Sequence, residues 1–162
     1  MLIPAVLYKE EIERLFAEKI YTEDFFYYIG YPQYYPIPKI RLDQDQDTYQ
    51  WAIIDNGKLI GYFEYRVNLY LNSVDQFGLM SFDKGNITLA KDVYKKLTEL
   101  ICKHHRVEWR AIQGNPAIRS YTRFCQKCNG TIHRFKDVTK GIDGDYKDEY
   151  IFEIIKEQKN ET

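Results

Sequence analysis

Apolar positions recur with a helical spacing from Lys9 to Ile20, where Ile12, Leu15, Phe16 and Ile20 share one face, and this predicts an amphipathic helix. Thr22, followed by Glu23 and Asp24, reads as the cap and acidic first turn of a second short helix ending near Gly30. The run YPQYYPIP after it is a proline-stiffened loop. The period then changes to two. Tyr49 to Ile54 and Leu59 to Leu69 read as strands around DNGK, where Asn56-Gly57 suits a turn needing positive φ at both central positions. LNS breaks that run, and Val74 to Phe82 forms the next strand. Leu89, Val93, Leu97, Leu100 and Ile101 restore the helical period from about Thr88 to Lys103. Val107 to Ile112 is again a strand. Asn115 as cap and Pro116 as first residue open another helix, which Asn129-Gly130 closes. Thr131 to Val138 and Glu149 to Ile155 are two strands joined by TKGIDGDYKD. The order α-α-β-β-β-α-β-α-β-β predicts an α/β (α+β) fold, a mixed central sheet with helices on both faces.

Composition narrows this picture. The 162 residues suit one domain spanning 1–162. A chain of this length buries enough surface to fold without disulfides or metals. A net charge of −1 argues against nucleic acid as the main partner. With no run of about 18 apolar residues, no membrane span is expected. MLIPAVLYKEE has neither a basic n-region nor an apolar h-region, so no signal peptide is expected. Three cysteines, an odd number, fit reduced thiols in a cytoplasm better than a disulfide framework. The unusual feature is aromatic density, with 15 Tyr and 9 Phe.

The richest stretch for chemistry is VEWRAIQGNPAIRSYTRFCQKCNGTI, from Val107 to Ile132. Cys125 and Cys128 form a C-x-x-C, and Cys102, His104, His105 and His133 are the residue types that complete zinc sites. A structural zinc pair usually sits on a tight turn, however, and these cysteines lie in a predicted helix. There Ala117, Ile118, Tyr121, Phe124, Cys125 and Cys128 fall within an arc of about 120°, and free cysteine packs as a small hydrophobe. A redox pair would favour a helix N-terminus, and Cys125 is well into the helix. Core thiols are therefore expected, and metal none. DGDYKDE carries aspartates but lacks the third acidic ligand and distal glutamate of a calcium loop, so a hairpin turn is expected.

The order strand, Asn115, amphipathic helix bearing Tyr121, closing Gly130 and strand resembles motif B of the GNAT acyl-CoA N-acyltransferases. NPAIRSYTRFCQKCNGTI is similar to that family's Asn-x-x-Ala-x-x-x-Tyr-x-x-x-Gly-Phe. Tyr121 follows Asn115 by one residue fewer than usual, and the stretch before Gly130 is longer. In style the chain resembles GNAT-like proteins of phages and prophages of Gram-positive bacteria. The resemblance implies acetyl-CoA as co-substrate. Its pyrophosphate would lie on the loop after the fourth family strand, here FDKGNITLAKDVYKKL. Gly85 matches the first glycine of the family pattern, Phe82 stands where Gln or Arg is usual, and Ile87 stands where a small residue is usual. Lys84, Gly85, Asn86 and Ile87, with Phe82 at the strand end and Asn115 and Tyr121 on motif B, are thus the expected cofactor residues. Gly78, inside a strand, fits a bulge, a splay that frees backbone for pantetheine, or close packing.

The same resemblance makes Tyr121 the acid for the leaving thiolate, with Glu64 and Asp75 as candidate bases for the amine. The acceptor would meet the aromatic run YTEDFFYYIGYPQYYPIP, which also suits a protein interface. The expected function is direct acetyl transfer from acetyl-CoA to an amine acceptor, a small molecule or a protein, with a homodimer an open option. The alternative is a non-catalytic GNAT-shaped binding module, which the departures at Phe82 and Ile87 favour.

Overall fold

The computed structural model describes residues 1–28, 37–42 and 47–156, with the backbone alone for Glu23 and Asp24. Part of the aromatic run expected on the acceptor side, residues 29–36, and the end expected for the second helix at Gly30 lie outside the described residues. The elements in chain order are β1 (Leu2–Pro4), a 3-10 turn (Ala5–Tyr8), α1 (Lys9–Lys19), α2 (Glu23–Tyr28), β2 (Thr48–Asp55), β3 (Lys58–Asn68) and β4 (Ser73–Ser81). They continue with α3 (Ile87–Lys103), β5 (Arg106–Ile112), α4 (Ile118–Lys127), β6 (Thr131–Lys140) and β7 (Tyr146–Ile155).

One seven-stranded sheet runs β1-β2-β3-β4-β5-β7-β6. Every neighbouring pair is antiparallel except β4 and β5. The sheet is therefore mixed, as the element order predicts. The β2–β3 hairpin turns at Asn56 and Gly57, with φ of 48° and 77°, the positive pair that the sequence called for.

Alternation along the central strands sorts side chains between two cores. Ala52, Ile54 and Tyr62 face one side, with Ile12 and Phe16 of α1 and Phe25 and Tyr28 of α2. Phe63, Tyr65 and Val67 face the other side, with Leu89, Val93, Leu97 and Leu100 of α3 and with Tyr121 and Cys125 of α4. The predicted stripe of α4 packs as a unit: Tyr121 and Cys125 are buried, and Ala117, Ile118, Phe124 and Cys128 lie against the same core. Cys125 is fully buried, its thiol 3.5 Å from the Thr131 carbonyl oxygen, and burial pushes its pKa up. Among the described residues no three His, Cys, Asp or Glu side chains converge as metal ligands would.

α4 begins two residues later than Pro116. Asn115 accepts the Ala117 amide on its side-chain oxygen at 2.8 Å and the Ile118 amide on its carbonyl at 3.1 Å. It thus caps a turn through Pro116 and Ala117, and the helix follows. The other end is as predicted: Asn129 takes φ 55°, and the Gly130 amide donates to the Cys125 carbonyl at 2.8 Å. A Cβ on Gly130 would stand 2.6 Å from both the Cys125 sulfur and the Glu153 carbonyl oxygen, so only glycine fits. In the β6–β7 hairpin, Asp143 is held by Lys147 at 2.6 Å and accepts the Asp145 amide at 3.1 Å. No helix of the described residues is long and apolar enough to cross a membrane.

Candidate active site

The parallel neighbours β4 and β5 pair only at Ser73–Arg106 and Val74–Val107. Beyond Val107, β5 stays paired with β7 through Ile112, while β4 stays paired with β3 through Ser81. The two strands thus diverge, leaving a wedge within the sheet. A bulge contributes to it. Glu64 pairs with Gly78 and Arg66 with Asp75, so Gln76 and Phe77 together face Tyr65. Gln76 takes φ 49°. The bulge therefore sits two residues before Gly78.

Side chains from both faces of the sheet line the wedge. A cleft of about 410 Å³ is bounded by Tyr27 and Tyr28 of α2, Leu79 to Ser81 of β4, and the loop Lys84-Gly85-Asn86. Asn115, Pro116 and Ala117, with Ser120 and Tyr121 of α4, close it. A smaller cavity of about 30 Å³ shares Tyr27, Tyr28, Leu79, Asn115 and Tyr121 with this cleft and extends to Gln76, Glu108, Trp109 and Arg110. Lys84, Gly85, Asn86, Asn115 and Tyr121, expected together from sequence, are thus gathered around one space.

The loop is built for that position. Gly85 takes φ 80°, a left-handed conformation, and a Cβ there would meet nothing within 4 Å. Conformation rather than crowding calls for glycine. Asn86 caps α3, accepting the Thr88 amide on its side-chain oxygen at 2.9 Å. Its side-chain nitrogen donates to Asp83 at 3.0 Å and to Asp55 at 3.4 Å. The positive end of the α3 dipole lies beside the cleft. Phe82 and Ile87 are not among the residues lining it. The Phe82 amide donates to the Ile60 carbonyl at 2.9 Å, and its ring meets Phe16 edge-on at 5.7 Å, beneath α1. Ile87 is 70% exposed at the first turn of α3.

Tyr121 is buried, its ring set against Phe77, Trp109 and Phe152 at 6.3, 6.1 and 5.7 Å. Burial, with Tyr94 adding to it, holds its phenol far above the ordinary pKa. Among the described residues its hydroxyl has no hydrogen-bond partner. It is a neutral donor on the cleft wall.

The two candidate bases differ. Asp75 accepts both Nε and a terminal nitrogen of Arg66, at 3.0 and 3.2 Å. Glu64 is held from several sides. One oxygen accepts the Tyr28 hydroxyl at 2.6 Å; the other accepts the Tyr62 hydroxyl at 2.7 Å and the Gln50 amide at 3.4 Å. Burial first, and then the Glu64 charge, raise the pKa of Tyr62 well above its usual value. Neither carboxylate lines the cleft itself. Sequence reasoning missed Ser81 and Ser120 as lining residues. It did mark the aromatic run that supplies Tyr27 and Tyr28.

No protein-family profile matches the sequence, and no curated protein matches it. Solved structures do match. A probable acetyltransferase of the GNAT family from Chromobacterium violaceum is 15% identical, covering 96% of this chain and 85% of that one with a TM-score of 0.63. An N-acetyltransferase from Staphylococcus aureus is 14% identical, covering 91% of this chain and 93% of that one with a TM-score of 0.65. The fold is that of the GNAT N-acyltransferases. A third neighbour, the microcin C7 self-immunity acetyltransferase, was solved with acetyl-CoA and AMP. It is 14% identical and covers 96% of this chain and 91% of that one, at a TM-score of 0.64.

Proposed function

We propose that the protein is an N-acetyltransferase that moves an acetyl group from acetyl-CoA directly to an amine. The observation that carries this reading is the wedge between β4 and β5. It gathers the Lys84-Gly85-Asn86 loop, Asn115 and the Tyr121 hydroxyl around one cleft. The fit to the co-substrate rests on three features: the unhindered backbone at Gly85, the α3 N-terminus beside it, and the unpartnered phenol at the far wall.

Acetyl-CoA supplies the activated thioester. Lys84 and the backbone of the loop face the pyrophosphate. Tyr121 delivers a proton to the departing thiolate, a role for which its raised pKa keeps it protonated. Glu64 accepts the proton of the amine; Asp75, already in a two-point pair with Arg66, serves the sheet instead. For the acceptor, the tyrosines of α2 suit an amine carrying apolar or ring surface. The solved neighbours include a spermidine/spermine N-acetyltransferase from Vibrio cholerae, so polyamines belong in the acceptor panel. A cytoplasmic setting accompanies this reading, since all three cysteines are unpaired thiols.

A second reading, a GNAT-shaped binding module without catalysis, draws support from the loop itself. Asp55 and Asp83 both hold Asn86 there, bringing negative charge to where a pyrophosphate would lie. Thermal denaturation with acetyl-CoA separates the two. Ligand at about 100 times its Kd adds ~2.7 kcal/mol of stability, and the module reading expects no shift at millimolar acetyl-CoA. With an acceptor in hand, Tyr121→Phe should keep stability within about 1 kcal/mol and lower turnover by ~10²–10⁴-fold. Equal rates for variant and wild type would reduce Tyr121 to a core residue.

A further inference from the structure

Glu64 is the base of the acetyl-transfer reading, yet it lines neither cavity of the wedge; Tyr28 lines both. The Tyr28 hydroxyl donates to Glu64 at 2.6 Å. The contact needs a local concession from the sheet. Gly78 faces Glu64 across the β3–β4 ladder, and a Cβ there would stand 3.0 Å from the Tyr28 ring and 3.1 Å from the Glu64 carboxylate. The absent side chain lets the ring lie over β4 and reach β3. Phe16 fixes the ring from above, edge-on at 5.0 Å. Glu64 is fixed too, by Tyr62 and Gln50 on its other oxygen.

Resting on the acetyl-transfer reading, we propose that Tyr28 is a proton relay between the acceptor ammonium and Glu64. The ammonium gives a proton to the Tyr28 oxygen as the Tyr28 hydroxyl proton passes to Glu64. The products are a neutral amine, an unchanged phenol and a neutral carboxylic acid, which returns its proton to solvent by the reverse route after turnover. No redox partner is involved. Among the described residues, the titratable groups hydrogen-bonded to Glu64 are Tyr28 from α2 and Tyr62 from β3; Gln50 from β2 is neutral, and Gly78 of β4 lies opposite. Arg66, two residues along β3, is engaged with Asp75. The wedge then carries a tyrosine of opposite duty on each wall: Tyr121 gives a proton to sulfur, and Tyr28 takes one from nitrogen.

The test compares wild type with Tyr28→Phe on two probe acceptors, benzylamine, which is protonated at neutral pH, and phenylhydrazine, which is largely neutral there. Acetyl-CoA affinity is measured by calorimetry and folding by thermal melting for each protein. A relay predicts a loss of ~10²-fold on benzylamine, little change on phenylhydrazine, an unchanged acetyl-CoA Kd, and recovery on benzylamine as pH rises and the free amine accumulates. Equal losses on both acceptors, or none on either, overturn the relay. In the absence of any acceptor, the Tyr28 Cζ resonance should move in Glu64→Gln, which removes the charged acceptor of its hydroxyl; a Tyr28 signal indifferent to that substitution also overturns the relay. If wild type binds acetyl-CoA but acetylates neither amine, the acetyl-transfer reading fails and the relay falls with it.

Discussion

The two halves of the sheet obey different rules. From β1 to β4 both faces are covered, by α1 and α2 on one side and by α3 on the other, and β3 buries Tyr62 and Phe63 on opposite faces. From β5 through β7 to β6 the described residues pack one face, with Trp109, Phe152 and Ile154 against the helices. The opposite face holds ion pairs: Arg106 with Glu108 and Glu153, and Arg110 with Glu108 and Glu149. The difference is written in the strands. LIGYFEYRV buries almost every residue, while RVEWRAI alternates. The halves meet where β4 leaves β5, and the cleft opens along that seam.

Four measurements sharpen or break this contrast, the largest effect first. Burial, the leading cause in each case, raises the tyrosine pKa values on both faces of the covered half, that of Tyr65 to about 12. A raised folded-state value means stability is full below the unfolded value of about 10 and is lost as pH rises toward 12. Melting temperature should therefore fall steeply over that window, in step with tyrosine ionisation seen by absorbance; a melt indifferent to pH there would show that the covered half does not govern alkaline stability. Next, Phe16→Ala removes a fully buried ring that meets Tyr28, Tyr62 and Phe82 edge-on. Urea denaturation should register ~3–5 kcal/mol. Third, Gly130→Ala forces a methyl against the Cys125 sulfur and the Glu153 backbone, at about 1–3 kcal/mol by the same assay. Last, Arg110→Ala on the open face should cost less than about 1 kcal/mol, and less again in high salt. If it matched Phe16→Ala, the open face would be as structural as the covered one.

What could be read in the sequence follows from the range of the forces involved. The Asn56-Gly57 turn and the Asn129-Gly130 stop are set by near neighbours, and each stands where the sequence put it. β1 was missed because Leu2–Pro4 is too short to show alternation; it exists because Leu2 and Ile3 find Ile53 and Ala52. Of the three options open at Gly78, close packing holds, since it makes room for Tyr28; the bulge lies at Gln76, a residue with no conformational signature. In the site, Lys84, Gly85, Asn86, Asn115 and Tyr121 are the residues that the family resemblance singles out, and they line one cleft. Phe82 lies outside the cleft because its ring packs under α1 against Phe16. The Tyr28–Glu64 bond spans 36 positions and leaves no pattern along the chain.

The parting of β4 from β5 gives this sheet something rare, a pair of edges on the inside. An outer edge invites any passing strand, but these two face each other across a wedge that narrows to a closed apex at Val74 and Val107. The apex acts as a depth stop. A molecule sliding between the strands halts where they rejoin, and because a strand advances ~3.3 Å per residue, one more paired rung would shorten its travel by about that much. On the acetyl-transfer reading proposed above, the distance from the Gly85 turn to the apex would act as a length gauge, with the register of two residue pairs setting how far a threaded co-substrate could reach toward Tyr121.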